Sequence, residues 1–61
     1  MTKEYHGFNI HITDKRVNGY FYAYWFVGDC RYNQSSKIKM QLIMICKRRI
    51  DDIIDAVNRV T

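Results

Sequence analysis

The stretch Tyr20-Phe21-Tyr22-Ala23-Tyr24-Trp25-Phe26-Val27 decides how this chain folds, because it packs six of the chain's nine aromatic residues into eight consecutive positions. Successive strand side chains point to opposite faces. The run therefore splits into Phe21, Ala23, Trp25 and Val27 on one side and Tyr20, Tyr22, Tyr24 and Phe26 on the other. The first set reads as core and the second as a contact surface.

Turn signals lie on both sides of this run. Asn18-Gly19 precedes it, and a type I′ turn, with positive φ at both central residues, favours that dipeptide strongly. A tight turn there sets Val17 opposite Tyr20, Ile12 opposite Trp25 and Ile10 opposite Val27. Tyr5 to Thr13 then reads as one first strand, with Phe8, Ile10 and Ile12 on the apolar face and Gly7, Asn9, His11 and Thr13 on the other. The register has one flaw: Asp14 and Arg16 fall on the core side, which argues for a loop that opens earlier than the turn requires. After the run, Gly28-Asp29 returns the chain as Cys30 to Gln34. Val27 then faces Cys30 and Trp25 faces Tyr32 inside, with Phe26 beside Arg31 and Tyr24 beside Asn33 outside.

The last element reads as a helix. Cys46, Ile50, Ile53, Ile54, Val57 and Val60 recur at the three-and-four spacing of one apolar stripe. Lys47/Asp51, Arg48/Asp52 and Asp55/Arg59 are opposite charges four apart, suited to lacing the solvent side. Ser36 could cap the helix, although Lys39 stands where a capping box wants Glu or Gln. Lys37 to Leu42 also alternates with period two. A strand there, with Gly28 to Ser36 as loop, is the competing reading. Lys, Met, Gln and Leu favour the long helix, which leaves Met40, Met44 and Ile45 with more apolar surface than one sheet can cover. That surplus points to a protein partner or a second copy of the chain. The expectation is one α+β domain over residues 1–61: a three-stranded antiparallel meander with a C-terminal helix on one face, β-β-β-α.

Sixty-one residues bury only roughly 60% of the surface the unfolded chain exposes, so stability is marginal. With 48% apolar and 15% aromatic residues the composition is still that of a folded chain rather than a disordered one. No signal peptide is evident at the amino end, and the longest apolar run, Leu42 to Cys46, is too short to span a bilayer. A soluble cytoplasmic protein is the simplest expectation. Cys30 and Cys46 form no short-spaced pair and read as buried thiols. The net charge of +4 is uneven: Cys30 to Ile50 holds six cations and no acid. Such a block favours an anionic partner.

Catalytic and metal chemistry find little support. His6 and His11 point to opposite faces of one strand and cannot chelate together. Asp51 and Asp55 share a helix face but lack a third ligand. Ser35 and Ser36 have no evident base, neither cysteine has a histidine partner, and there is no glycine-rich phosphate loop. No enzyme activity, cofactor or metal is expected.

The segments Tyr5-His6-Gly7-Phe8-Asn9-Ile10 and Cys46-Lys47-Arg48-Arg49-Ile50-Asp51 resemble those of small bacterial and prophage proteins. That group pairs a Tyr-x-Gly-aromatic-x-Ile first strand with a closing Ala-Lys-x-x-Ile-Asp helix. Cys46 stands where alanine is usual, and the acidic helix start of the group is absent. The resemblance implies a β-β-β-α fold and no biochemical role. The layout is also similar to the amino-terminal DNA-binding domains of phage integrases, which lay a three-stranded sheet in the major groove. By position that likeness implies Tyr22, Tyr24, Arg31 and Asn33 as groove-facing residues, although those domains carry more Arg and Lys than rings on the sheet. In size the chain resembles phage-encoded inhibitors of host enzymes or defence complexes, anti-CRISPR proteins among them.

Two functions follow as expectations. The first is a non-catalytic phage or mobile-element protein that occludes a macromolecular target through Tyr20, Tyr22, Tyr24, Phe26, Arg31 and Asn33, flanked by His11 and Thr13, with Lys37 and Lys39 at the edge. The second is a nucleic-acid-binding module, with Tyr22 and Tyr24 stacking on bases. In it Arg31, Lys37, Lys39 and the basic patch Lys47, Arg48 and Arg49 meet phosphates.

Overall fold

A computed structural model describes residues 1–60. The order is β1 (Thr2–Tyr5), β2 (Phe8–Ile12), β3 (Phe21–Val27), β4 (Cys30–Ser36) and α1 (Lys39–Val60). The strands form one antiparallel sheet in sequential order, and α1 lies across one face. The α+β class and the C-terminal helix agree with the expectation from sequence; the strand count is four, not three.

The extra strand lies before a turn at His6-Gly7: the expected first strand, Tyr5 to Thr13, starts only at Phe8, and Tyr5 ends a separate strand that begins at Thr2. His6 and Gly7 have positive φ, 50° and 84°, nearly matching the 54° and 85° of Asn18 and Gly19. Paired positive φ is what a type I′ hairpin turn demands, and histidine enters the left-handed region more readily than most side chains. Tyr5 thereby comes to face Phe8. In one continuous strand it would have lain on the polar side; in the hairpin it joins the apolar one.

The β2–β3 register also differs. Val17 pairs with Tyr20 as expected, but Ile12 meets Ala23 rather than Trp25. Two extra residues on the β2 side are set outside the ladder, which keeps Asp14 and Arg16 off the core. Thr13 closes the gap: its backbone N–H donates to the Tyr22 carbonyl at 3.0 Å, and its hydroxyl oxygen accepts from the Tyr22 N–H at 3.1 Å. A shift of two residues preserves the face of every side chain, whereas a shift of one would have inverted it. The β3–β4 ladder is as expected, from Val27 opposite Cys30 to Tyr24 opposite Asn33.

Residues 36–45 are neither strand nor helix throughout. Strand β4 runs to Ser36, whose hydroxyl oxygen accepts from the Ile38 N–H at 3.3 Å; the Ile38 carbonyl then accepts the Leu42 N–H at 3.0 Å, and the helix begins. Ile38 holds the cap position. The core comprises Ile10, Ile12, Ala23 and Trp25 from the sheet with Leu42, Cys46 and Ile50 from α1. Those three helical residues recur every four positions, placing one stripe against the sheet. The indole N–H of Trp25 is buried with no acceptor among the described residues, and the indole stacks on Tyr32 at 5.8 Å.

Three expectations about side chains are corrected. Val57 is 58% exposed, because a helix of 22 residues extends roughly 33 Å and outruns seven-residue strands of roughly 23 Å. The side chain of Val60 lies outside the described residues. Cys30 is exposed beside the β3–β4 turn, and only Cys46 is buried. Of the three expected helical ion pairs, only Asp55–Arg59 forms among the described residues, at 2.8 Å. Asp51 instead accepts a hydrogen bond from the Tyr5 hydroxyl at 2.9 Å, tying α1 to the β1 edge.

Candidate binding face

The sheet face opposite α1 carries no covering element among the described residues. Pairing fixes what stands on it. Thr2, His11, Tyr24 and Asn33 form one row across all four strands, while Phe26 and Arg31 pair beyond it and Tyr22 and Ser35 pair on the other side. Phe26 is 51% exposed and Tyr22 42%.

Tyr24 is the organising residue. His11 from β2 stacks on it with centroids 4.8 Å apart and planes 22° apart, and Arg31 from β4 places its guanidinium carbon 4.4 Å from the ring centroid. Phe26 meets the same ring edge-on at 6.0 Å. Thr2 Oγ1 lies 3.4 Å from His11 Nδ1, extending the row to the β1 edge. Each contact is modest, with an exposed cation–π pair contributing about 0.5–1 kcal/mol. Together they fix five side chains before any partner arrives, which lowers the entropy lost on binding.

Beside this row lies a shallow depression of about 380 Å³ bordered by Met1, Thr2, His11, Thr13, Tyr22, Tyr24 and Arg31. The amino group of Met1 is held by the Ile12 carbonyl and the Asp14 carboxylate, each at 3.0 Å. That contact holds the Asp14 carboxyl below its ordinary pKa. Nothing in the residue pattern signals this contact, since it depends on β1 pairing alongside β2.

The remaining residues singled out from sequence divide. Tyr20 lies beyond the end of β3 with the Lys37 ammonium 5.8 Å from its ring centroid, so both extend the aromatic face at one end. Lys39 does not join them: its ammonium lies 5.8 Å over Phe21, which packs against the core on the helix side. Lys47, Arg48 and Arg49 do not form one patch either. Consecutive helical residues are about 100° apart. Lys47 consequently turns to the β1 side, 5.4 Å from the Tyr5 ring centroid, while Arg49 borders Tyr32 and Gln34 on the β4 side. None of the three borders the aromatic face.

Burial pushes the Cys46 thiol up to about 11, so it stays protonated and unreactive inside the core. No group of three or more His, Cys, Asp or Glu side chains suited to a metal ion occurs among the described residues. Among the described residues no helix is long and apolar enough to cross a membrane. No family model, curated protein or solved structure matches the chain.

Proposed function

We propose that this chain is a non-catalytic binding module whose uncovered sheet face, centred on Tyr24, docks onto a protein surface and occludes it. The observation that carries this reading is the bare aromatic face itself. Tyr22, Phe26 and Tyr20 stand exposed around a ring already held by His11 and Arg31. Aromatic side chains and arginine dominate the energetics of protein interfaces because they bury large areas with few rotatable bonds. Inhibition of a host enzyme or defence complex is the role in which such occlusion would act.

The placement of cations favours a protein partner over nucleic acid. A strand of nucleic acid laid on the rings needs positive charge along the same surface. Of the cations singled out from sequence, Arg31 and Lys37 border the face, and Lys39, Lys47, Arg48 and Arg49 lie on the helix side.

Affinity capture with the intact chain and with Tyr22→Ala/Phe26→Ala tests the proposal. A partner retained by the first and lost by the folded double variant supports it. Equal capture by both contradicts it. Salt separates the two partner classes, since phosphate binding weakens linearly in log salt while a hot-spot interface loses association rate and keeps most of its affinity.

A further inference from the structure

We propose that the β4 edge is a self-association surface, through which two copies join into one continuous eight-stranded antiparallel sheet. This inference does not rest on the binding role of the aromatic face.

The two edges of the sheet are built differently. Strand β1 has four residues and carries Lys3 and Glu4, the kind of charge that blunts an edge. Strand β4 has seven residues, no proline, no lysine, and Arg31 as its only charge. Its hydrogen-bonding pattern follows from the two-residue turn at Gly28-Asp29, whose flanking pair Val27 and Cys30 exchange backbone hydrogen bonds. Alternation along an antiparallel ladder then turns the N–H and C=O groups of Arg31, Asn33 and Ser35 away from β3 and out of the sheet. Those groups are a template for another strand.

A second copy fits this edge for two reasons. The first is spacing. Helix α1 packs principally over β3 and β4 rather than over the middle of the sheet. Two copies related by a two-fold axis at the β4 edge would bring their helices about two strand spacings apart, roughly 10 Å. Helices pack at about 8–10 Å.

The second reason is charge. On the flank of α1 beside β4 lie Ile45, Arg48, Arg49 and Asp52, around Gln34. Ile45 is exposed, and no ion pair forms at Arg48, Arg49 or Asp52 among the described residues. The two-fold axis runs the helices antiparallel, so that Arg48 and Arg49 of one flank lie within about a turn of Asp52 of the other. Centring the strands on Asn33 places Arg31 opposite Ser35 of the second copy, so no like charges meet in the ladder. The two aromatic faces then lie on the same side of the joined sheet.

Sedimentation equilibrium of the full chain from micromolar to millimolar concentration is the test, with Asn33→Pro as the variant. Proline is tolerated on an edge strand whose N–H faces outward, so the variant should keep its circular dichroism while dimerisation weakens about tenfold or more. Arg49→Asp should also weaken it, and adding Asp52→Arg should restore it; this pair carries the test if Asn33→Pro does not fold. A wild-type chain that remains monomeric overturns the proposal. So does a dimer indifferent to Asn33→Pro, or one that Arg49→Asp weakens and the charge swap fails to rescue.

Discussion

The guanidinium of Arg31 lies 4.4 Å from the centre of the Tyr24 ring, on the strand next to it and on the bare side of the sheet. Arg31→Ala should lower stability by about 0.5–1 kcal/mol, the usual contribution of an exposed cation–π pair. Arg31→Lys should recover part of that loss, since an ammonium keeps the charge but not the planar stack. Urea unfolding of the three chains checks the order.

Gly7 and His6 make the hairpin that adds β1 to the sheet. A methyl group at Gly7 would meet nothing within 4 Å, so Gly7→Ala costs only the left-handed backbone, about 1–2 kcal/mol. D-alanine at the same position, in a chain made by chemical synthesis, should be at least as stable as glycine, because it prefers positive φ and restricts the unfolded chain. Thermal unfolding of the three chains distinguishes backbone strain from crowding; equal loss with both alanines would show crowding.

Ile50 is wholly buried, whereas Met40 is 73% exposed. Ile50→Ala should cost about 2–5 kcal/mol. At roughly 0.05–0.15 kcal/mol per residue, a chain of this length has only about 3–9 kcal/mol to lose, so the variant should be largely unfolded on warming. Met40→Ala should change stability by less than about 0.5 kcal/mol. Circular dichroism melts measure both.

Two groups make the fold sensitive to alkali. The Tyr5 hydroxyl donates to the Asp51 carboxylate, which raises its pKa above the ordinary value of 10.0, and burial pushes the Cys46 thiol from 9.0 up to about 11. Both groups are more readily ionised in the unfolded chain than in the folded one. The stability they contribute is therefore complete below about pH 9 and is lost as pH rises through the folded values. Urea midpoints should hold steady across neutral pH and fall from about pH 9 upward. Tyr5→Phe should make that fall shallower.

Much of this arrangement was legible in local chemistry. The alternation of Tyr20 to Val27 separated Ala23 and Trp25 from Tyr22 and Phe26, and Gly28-Asp29 set the β3–β4 register. The fourth strand was hidden because His6-Gly7 is a less common pair for a tight turn than Asn18-Gly19 and because the clear alternation of Phe8, Ile10 and Ile12 begins only after it, leaving Thr2 to Glu4 without an apolar pattern. The one signal was Tyr5, whose ring sits on the wrong face of an unbroken strand and on the right face of a hairpin. The positions of Lys39, Lys47, Arg48 and Arg49 were illegible for another reason. A run of cations looks like one patch in sequence, and only the turn of α1 shows that it is spread around a cylinder.

Docking of a partner on the open face is the claim on which the rest depends. A photoreactive phenylalanine analogue at Phe26, compared with the same analogue at the exposed Met44 on α1, tests this most directly in cells of the native host. A discrete crosslinked protein is expected from position 26, lost when Tyr22→Ala is added and not obtained from position 44. Crosslinking of that protein from position 44 alone would contradict it.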